Sequence, residues 1–128
     1  MLVGAGSAIP DKIHAFILHF YSYQSLEQNQ VRRLVVDLVE DLIDLVNKNA
    51  EIQEYLVNLP FTVNNYELRI NFKNLNNKIQ EPPNVAYVVL KKGRVSYFYH
   101  DNITDSYLID QTRDETYEEA LRIVREQK

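Results

Sequence analysis

Residues 25–46 read SLEQNQVRRLVVDLVEDLIDLV. Val31, Leu34, Val35, Leu38, Val39, Leu42, Leu45 and Val46 recur at spacings of three and four, the period of an α-helix, and Val36 and Ile43 widen the stripe on one flank. Asp37, Glu40, Asp41 and Asp44 line the opposite side. A helix of about six turns that is apolar over so wide an arc must be buried on a broad front, so it organises the rest of the chain. Ser25 precedes Gln28 by three, the spacing of a capping box, and predicts the helix start. Asn47 and Asn49 suit its end, and a shorter helix is predicted over 50–58, stopped by Pro60.

Outside this segment the apolar period falls to two. Residues 12–23 predict a first strand, with Ile13, Ala15, Ile17, His19, Tyr21 and Tyr23 on one face. His14, Phe16, Leu18, Phe20 and Ser22 take the other. Both faces are largely apolar, the pattern of an interior strand covered twice, by the helices on one side and by a second subunit on the other. After Phe61, Tyr66, Leu68, Ile70 and Phe72 alternate with Glu67, Arg69 and Asn71, which predicts a half-exposed strand. A polar turn follows at 74–78, and Pro82-Pro83 closes the connection. Residues 85–90 and 94–100 predict a hairpin around Lys91-Lys92-Gly93, with the glycine in the left-handed position of a three-residue loop. A further strand is expected at 106–111. Thr112 and Glu115 repeat the capping-box spacing, and 116–126 predict a helix with Tyr117, Ala120, Leu121 and Val124 inward.

The order strand, long helix, short helix, three or four strands and helix defines an α+β protein. Its expected core is an antiparallel sheet of about four or five strands with the helices on one face. One domain is expected over 12–128, after a flexible tail over 1–11.

Composition narrows the chemistry. With 45% apolar and 25% charged residues, the 128-residue chain is of globular type and long enough for one core. Its net charge of −4, with basic residues scattered along the chain, argues against nucleic acid as a partner. The lack of cysteine excludes a thiol nucleophile, a thiolate zinc site and disulfides. No apolar run reaches the roughly 18 residues that span a membrane. Leu2-Val3-Gly4-Ala5-Gly6-Ser7-Ala8 lacks the basic start of an intact signal peptide, and reads either as the remnant of a trimmed leader or as a plain flexible terminus.

The runs Leu45-Val46-Asn47-Lys48-Asn49, Leu59-Pro60-Phe61-Thr62, Tyr66-Glu67-Leu68-Arg69-Ile70-Asn71-Phe72 and Tyr117-Glu118-Glu119-Ala120-Leu121 resemble a family of small uncharacterised bacterial proteins of exported type. The likeness extends from about Phe20 onward and rests on core and turn residues. It implies a compartment outside the cytoplasm and transfers no catalytic residue, so a cytoplasmic location is the alternative.

Each candidate for chemistry has a structural reading beside it. The four acids of the long helix share a face that could hold a hard cation, or simply keep a greasy helix solvated. Arg33 stands four before Asp37, where an ion pair is expected. His14 and His19 point to opposite faces and cannot share a metal. His100 neighbours Asp101, but adjacent strand residues diverge, so that pair is no base with its orienting acid. Asp101-Asn102-Ile103-Thr104-Asp105 is oxygen-rich yet lacks the bend and later acid of a calcium loop, and reads as a turn. Asp110, Thr112, Arg113, Asp114 and Glu115 crowd the last strand-to-helix junction; capping and dipole compensation explain Thr112, Asp114 and Glu115, while Arg113 could bind an anion or simply pair with a neighbouring acid. Tyr87, Tyr97 and Tyr99 of the hairpin, with Tyr66 of the preceding strand, would form a patch for a partner if one sheet face is bare, or pack beneath the helices if it is not.

Two functional expectations result. One is a non-catalytic module that binds a protein partner or its own copy, without a cofactor or metal, through Tyr66, Tyr87, Tyr97 and Tyr99. The other is a small-ligand protein or enzyme with a pocket between the sheet and the long helix, edged by His100, Asp101, Asp110 and Arg113.

Overall fold

A computed structural model describes residues 2–7, 15–54, 62–101, 103–104, 106–109 and 115–127. Two strands come first, β1 (Leu2–Ser7) and β2 (Phe16–Ser22), followed by helices α1 (Gln28–Lys48) and α2 (Ala50–Gln53). A 3₁₀ turn at Val63–Asn65 leads into β3 (Tyr66–Phe72), β4 (Tyr87–Lys91), β5 (Arg94–Asp101) and β6 (Ser106–Ile109). The two-residue β7 (Glu115–Thr116) and helix α3 (Tyr117–Glu126) end the described chain. The architecture is α+β, in the expected order, and the sheet is mostly antiparallel.

Spatial order follows chain order from β1 to β6, with β7 beside the start of β5. The joint between β2 and β3 departs from the expected antiparallel pattern. It is parallel, pairing Phe16 with Tyr66, Leu18 with Leu68 and Phe20 with Ile70. Parallel neighbours need a crossover of a dozen residues or more, and α1 lies in that crossover. Leu2–Ser7, expected within a flexible tail, instead pairs antiparallel with β2 and adds an outer strand. That pairing makes β2 an interior strand, as its two apolar faces implied.

Helix α1 starts two residues later than the Ser25 signal suggested. Its N-cap is Glu27, whose backbone N–H donates to Gln30 Oε1 at 3.0 Å. Ser25 is drawn away by Gln80, its hydroxyl donating to Oε1 at 3.3 Å. The buried stripe is Val31, Arg32, Val35, Val36, Val39 and Val46, with Leu34, Leu38, Leu42 and Ile43 partly covered. Val36, expected on the flank, therefore sits at the centre. Leu45, expected inward, is 63% exposed, because the sheet lies under a narrower arc than the apolar arc of the helix.

Asn49 ends α1 and caps α2 by accepting from the N–H groups of Glu51 and Ile52. Of the short helix expected over 50–58, the part beyond Glu54 lies outside the described residues. Helix α3 is capped by Thr116, whose hydroxyl accepts from Glu119 N–H at 3.2 Å; Thr112 lies outside the described residues. Tyr117, Ala120 and Val124 are buried against α1 and β5, as expected, and Leu121 is partly covered.

The β4–β5 turn has two residues, not three, since Lys91 pairs directly with Arg94. Lys92 (φ 51°) and Gly93 (φ 76°) are both left-handed, the signature of a type I′ hairpin turn whose twist matches its strands. Glycine suits position 93 by its backbone conformation, and a Cβ there would also displace the exposed Asn64 side chain, whose Oδ1 would lie 2.6 Å away. The core between sheet and helices comprises Leu68, Ile70, Phe72, Val88, Leu90, Val95 and Tyr97 against Val31, Val35, Val36, Val39, Ala120 and Val124.

Candidate binding face of the sheet

Alternation along the strands sorts the residues into two faces. Phe16, Leu18 and Phe20, Tyr66 to Phe72 at alternate positions, Val88 and Leu90, and Val95, Tyr97 and Tyr99 turn toward the helices. The register places their neighbours on the other face, where no described helix packs. One row is Ile17, Glu67, Lys91 and Arg94; the next is His19, Arg69, Val89 and Ser96. A third is Tyr21, Asn71, Tyr87 and Phe98.

Contacts within these rows are specific. Asn71 Nδ2 and His19 Nε2 share a hydrogen bond of 2.6 Å. Arg69 donates from Nε to Glu67 Oε2 at 3.0 Å and from a terminal nitrogen to the Tyr87 hydroxyl at 3.3 Å. The bond to Tyr87, then that to Glu67, raise the basicity of the Arg69 guanidinium further. Lys91 Nζ approaches the same Glu67 at 3.8 Å. The Tyr87 and Phe98 rings lie 5.6 Å apart, and Lys73 Nζ sits 4.8 Å from the centre of the Tyr21 ring.

The tyrosine patch expected from the sequence is thus divided between two faces. Tyr87 stands beside Phe98 on the face where no described helix packs. Tyr97 and Tyr66 are buried under the helices at 0% and 2% exposure, and Tyr99 is partly covered on that same side. The physical reason is register: Tyr87 pairs with Phe98, so it shares Phe98's face and not that of Tyr97. Tyr66 donates its hydroxyl to the Leu42 carbonyl at 3.1 Å, and burial pushes its pKa up to about 12. Tyr97 donates to Glu115 Oε1, and its pKa is raised by burial first and then by that carboxylate. Tyr117 donates to Glu40 at 3.1 Å and is raised likewise, by burial and then by the Glu40 charge.

Beneath Tyr97 lies a buried polar knot that no local pattern announces. Arg32 Nε donates to Glu115 Oε1 at 2.9 Å, with side chains only 4% and 7% exposed. A terminal nitrogen of Arg32 donates to Asn29 Oδ1 at 2.6 Å, and its guanidinium lies 5.8 Å from the centre of the Tyr97 ring. An isolated charge could not persist there, so the pair is held by mutual neutralisation.

The remaining candidates are dispersed. His100 finds an acid other than Asp101: its Nδ1 lies 2.6 Å from Glu81 Oε1. Asp101 instead closes a turn, accepting from Thr104 Oγ1 at 2.7 Å and from Ile103 N–H at 3.0 Å, and these bonds hold its carboxyl below the usual range. Arg113, Asp110, Thr112 and Asp114 lie outside the described residues, as do His14, Asn102 and Asp105. The acids of α1 pair separately, Asp44 with Lys48 at 2.9 Å and Glu40 with Arg125 at 3.6 Å, in place of the expected Arg33–Asp37 pair. Among the described residues, no three His, Asp or Glu side chains converge as a metal site would require. No described helix is long and apolar enough to cross a membrane.

Surface clefts on the helical side include two that involve candidate residues. One, of about 560 Å³, is formed by the start of α1 with Pro83 and Tyr99. The other, about 410 Å³, runs between α1 and α3 past Asp37, Glu40, Asp41 and Arg125. Sequence reasoning passed over Arg69, Asn71 and Lys73 as site residues. Alternation marked Arg69 and Asn71 as outward, but the meeting of Asn71 with His19 and of Lys73 with Tyr21 depends on the parallel register.

Comparison with protein-family models, with curated proteins and with solved structures gave no match.

Proposed function

We propose that this chain is a non-catalytic interaction module that binds a protein partner, or its own copy, through the helix-free face of its sheet. The observation that carries the reading is the Tyr87–Phe98 pair, two large rings in contact on a face that no described helix covers. Ile17 on the same face is 41% exposed. Aromatic side chains flanked by Arg and polar groups supply contact area at low entropic cost, which is the composition of binding surfaces. The resemblance to exported bacterial proteins adds a compartment outside the cytoplasm to this reading.

A photo-crosslinking residue at Val89, in the middle of the face, is expected to capture a discrete protein species in native extract. The same group at Arg122 on α3 is expected to capture none. Equal capture from both positions, or none from Val89, refutes the reading. Sizing with light scattering separates the two versions, since a single-chain mass at every concentration removes self-association.

A second reading is favoured by one observation. Gln28 borders the cleft at the start of α1, and its Nε2 is buried without a hydrogen-bond partner among the described residues. A small ligand with an acceptor group would satisfy it. Isothermal titration with a carboxylate and amide fragment set tests this version, which predicts binding by the protein that Gln28→Leu loses.

A further inference from the structure

We infer that the end of the sheet carrying the β3–β4 and β5–β6 turns docks on a lipid surface, with Leu75 and Ile103 entering its apolar layer. This surface is separate from the sheet face proposed above and does not depend on it.

Leu75 and Ile103 are the most exposed large apolar side chains among the described residues, at 91% and 95%, and Leu45 follows at 63%. Single exposed apolar residues are ordinary on protein surfaces. These two differ in how each is held and in where the register sets them.

Each is presented by a turn that its own first residue fastens. Asn74 Oδ1 accepts from the N–H groups of Asn76 at 2.9 Å and Lys78 at 3.1 Å, and a bridge between Lys73 and Ile79 closes that turn. Asp101 fastens the second turn by accepting from Ile103 N–H and from the Thr104 hydroxyl. An Asn or Asp bonded to the backbone two residues on keeps a turn in one shape. Both aliphatic side chains are thus held out in water by fixed turns.

The register then sets their height. Strands β3 and β5 run in the same direction on either side of β4, and Asn71 and Phe98 share one level through Tyr87. Asn74 and Asp101 each lie three residues further on, so both turns open at the same height. A strand spacing of about 4.8 Å puts them roughly 10 Å apart. Ser22 of β2 pairs with Phe72, so Tyr23, 47% exposed, comes about one residue below that height on the neighbouring strand.

A planar apolar layer bounded by polar headgroups matches this arrangement. Tips at one height can enter such a layer together without touching each other. Tyrosine sits well at the headgroup level, where its ring is half in apolar surroundings and its hydroxyl is wet. A protein partner fits less well. The core of a protein interface is a contiguous apolar patch, and here polar turn residues separate the tips. Among the described residues, Lys78 flanks one tip and Asp101 the other, so the contact is apolar in character and calls for no particular headgroup charge. Two aliphatic side chains give weak, reversible adsorption, no stronger than the ~10⁴ M⁻¹ of a single myristoyl chain.

The test uses the full chain and phosphatidylcholine vesicles at millimolar lipid. In flotation, the native chain is expected to rise with the vesicles. The double variant Leu75→Asp, Ile103→Asp is expected to bind about tenfold or more weakly. Both side chains lie outside the core, so this variant is expected to keep its fold, which circular dichroism checks. The chain contains no tryptophan, so Leu75→Trp, Ile103→Trp and Leu45→Trp each report one position by fluorescence. The first two are expected to shift to the blue with vesicles and to be quenched by bromine-labelled acyl chains. Leu45 precedes Val46, which packs on Tyr66 at the opposite end of the sheet, and Leu45→Trp is expected to do neither.

No shift at one or both tips, an equal shift at position 45, or flotation unchanged by the double variant overturns the inference. Flotation that requires anionic lipid and vanishes in salt also overturns it, since charge and not apolar insertion would then hold the chain. If a photo-crosslinking residue at position 75 captures a discrete protein from native extract while vesicles do not bind, the inference fails and the tips belong to a protein interface.

Discussion

Arg32, Glu115 and Tyr97 are the residues whose removal should be most revealing. Removing one member of a buried ion pair strands the other, so Arg32→Met alone or Glu115→Met alone is expected to cost about 3–5 kcal/mol. The triple change Arg32→Met, Glu115→Met and Tyr97→Phe removes both charges and the hydroxyl that would lose its acceptor. It is expected to be close to wild type or more stable, as measured by urea unfolding. A triple variant as unstable as the singles would mean the knot is net stabilising. The buried tyrosines also set an alkaline limit. Tyr66, Tyr97 and Tyr117 have folded pKa values raised above the unfolded value of about 10, so the fold favours their neutral hydroxyls. The stability they contribute is fully present below pH 10 or so and is lost as pH rises through the folded values. Tyrosinate absorbance followed with circular dichroism should show these three ionising only as structure is lost. Ionisation of all the tyrosines near pH 10 in a folded chain would contradict their burial.

Among the elements, α1 shows how far periodicity reaches. Its helical state and its extent were legible from 3.6-residue spacing, and so was the side that packs. The width of the buried arc was not, because that is set by what lies beneath it. Leu45 and Phe72 separate the two cases. Leu45→Gln on the exposed end of the stripe is expected to change stability by no more than about 0.5 kcal/mol. Phe72→Ala, at a position 0% exposed in β3, is expected to cost about 3–5 kcal/mol in the same denaturation measurement. Caps were legible only as motifs. Ser25 satisfied the pattern, yet Glu27 caps α1, because a side chain that finds a better partner, as Ser25 does in Gln80, leaves the cap to a neighbour.

For the whole molecule, one layer of helices covers one side of a sheet whose middle strands are paired on both edges. Hydrogen exchange should follow that plan. Amides of Leu68, Ile70 and Val88 in β3 and β4 are expected to exchange only through global unfolding, whereas those of the outer strands β1 and β6 exchange faster through local opening. Uniform protection across the sheet would mean that something pairs with or covers its edges.

From β2 onward the sequence alone determined the classes of element, their order and the side on which α1 packs, because apolar spacing is a local consequence of 3.6 residues per turn in a helix and two in a strand. Only the tertiary structure decided that β3 runs parallel to β2, that Tyr87 parts company with Tyr97, and that Arg32 meets Glu115 across 83 residues. Those outcomes depend on strand register and on contacts between distant segments. A shift of one residue in pairing exchanges the two faces of a strand, and where both faces carry large apolar or aromatic side chains, as in β2 and β5, the strand's own pattern does not single out the face that goes inward.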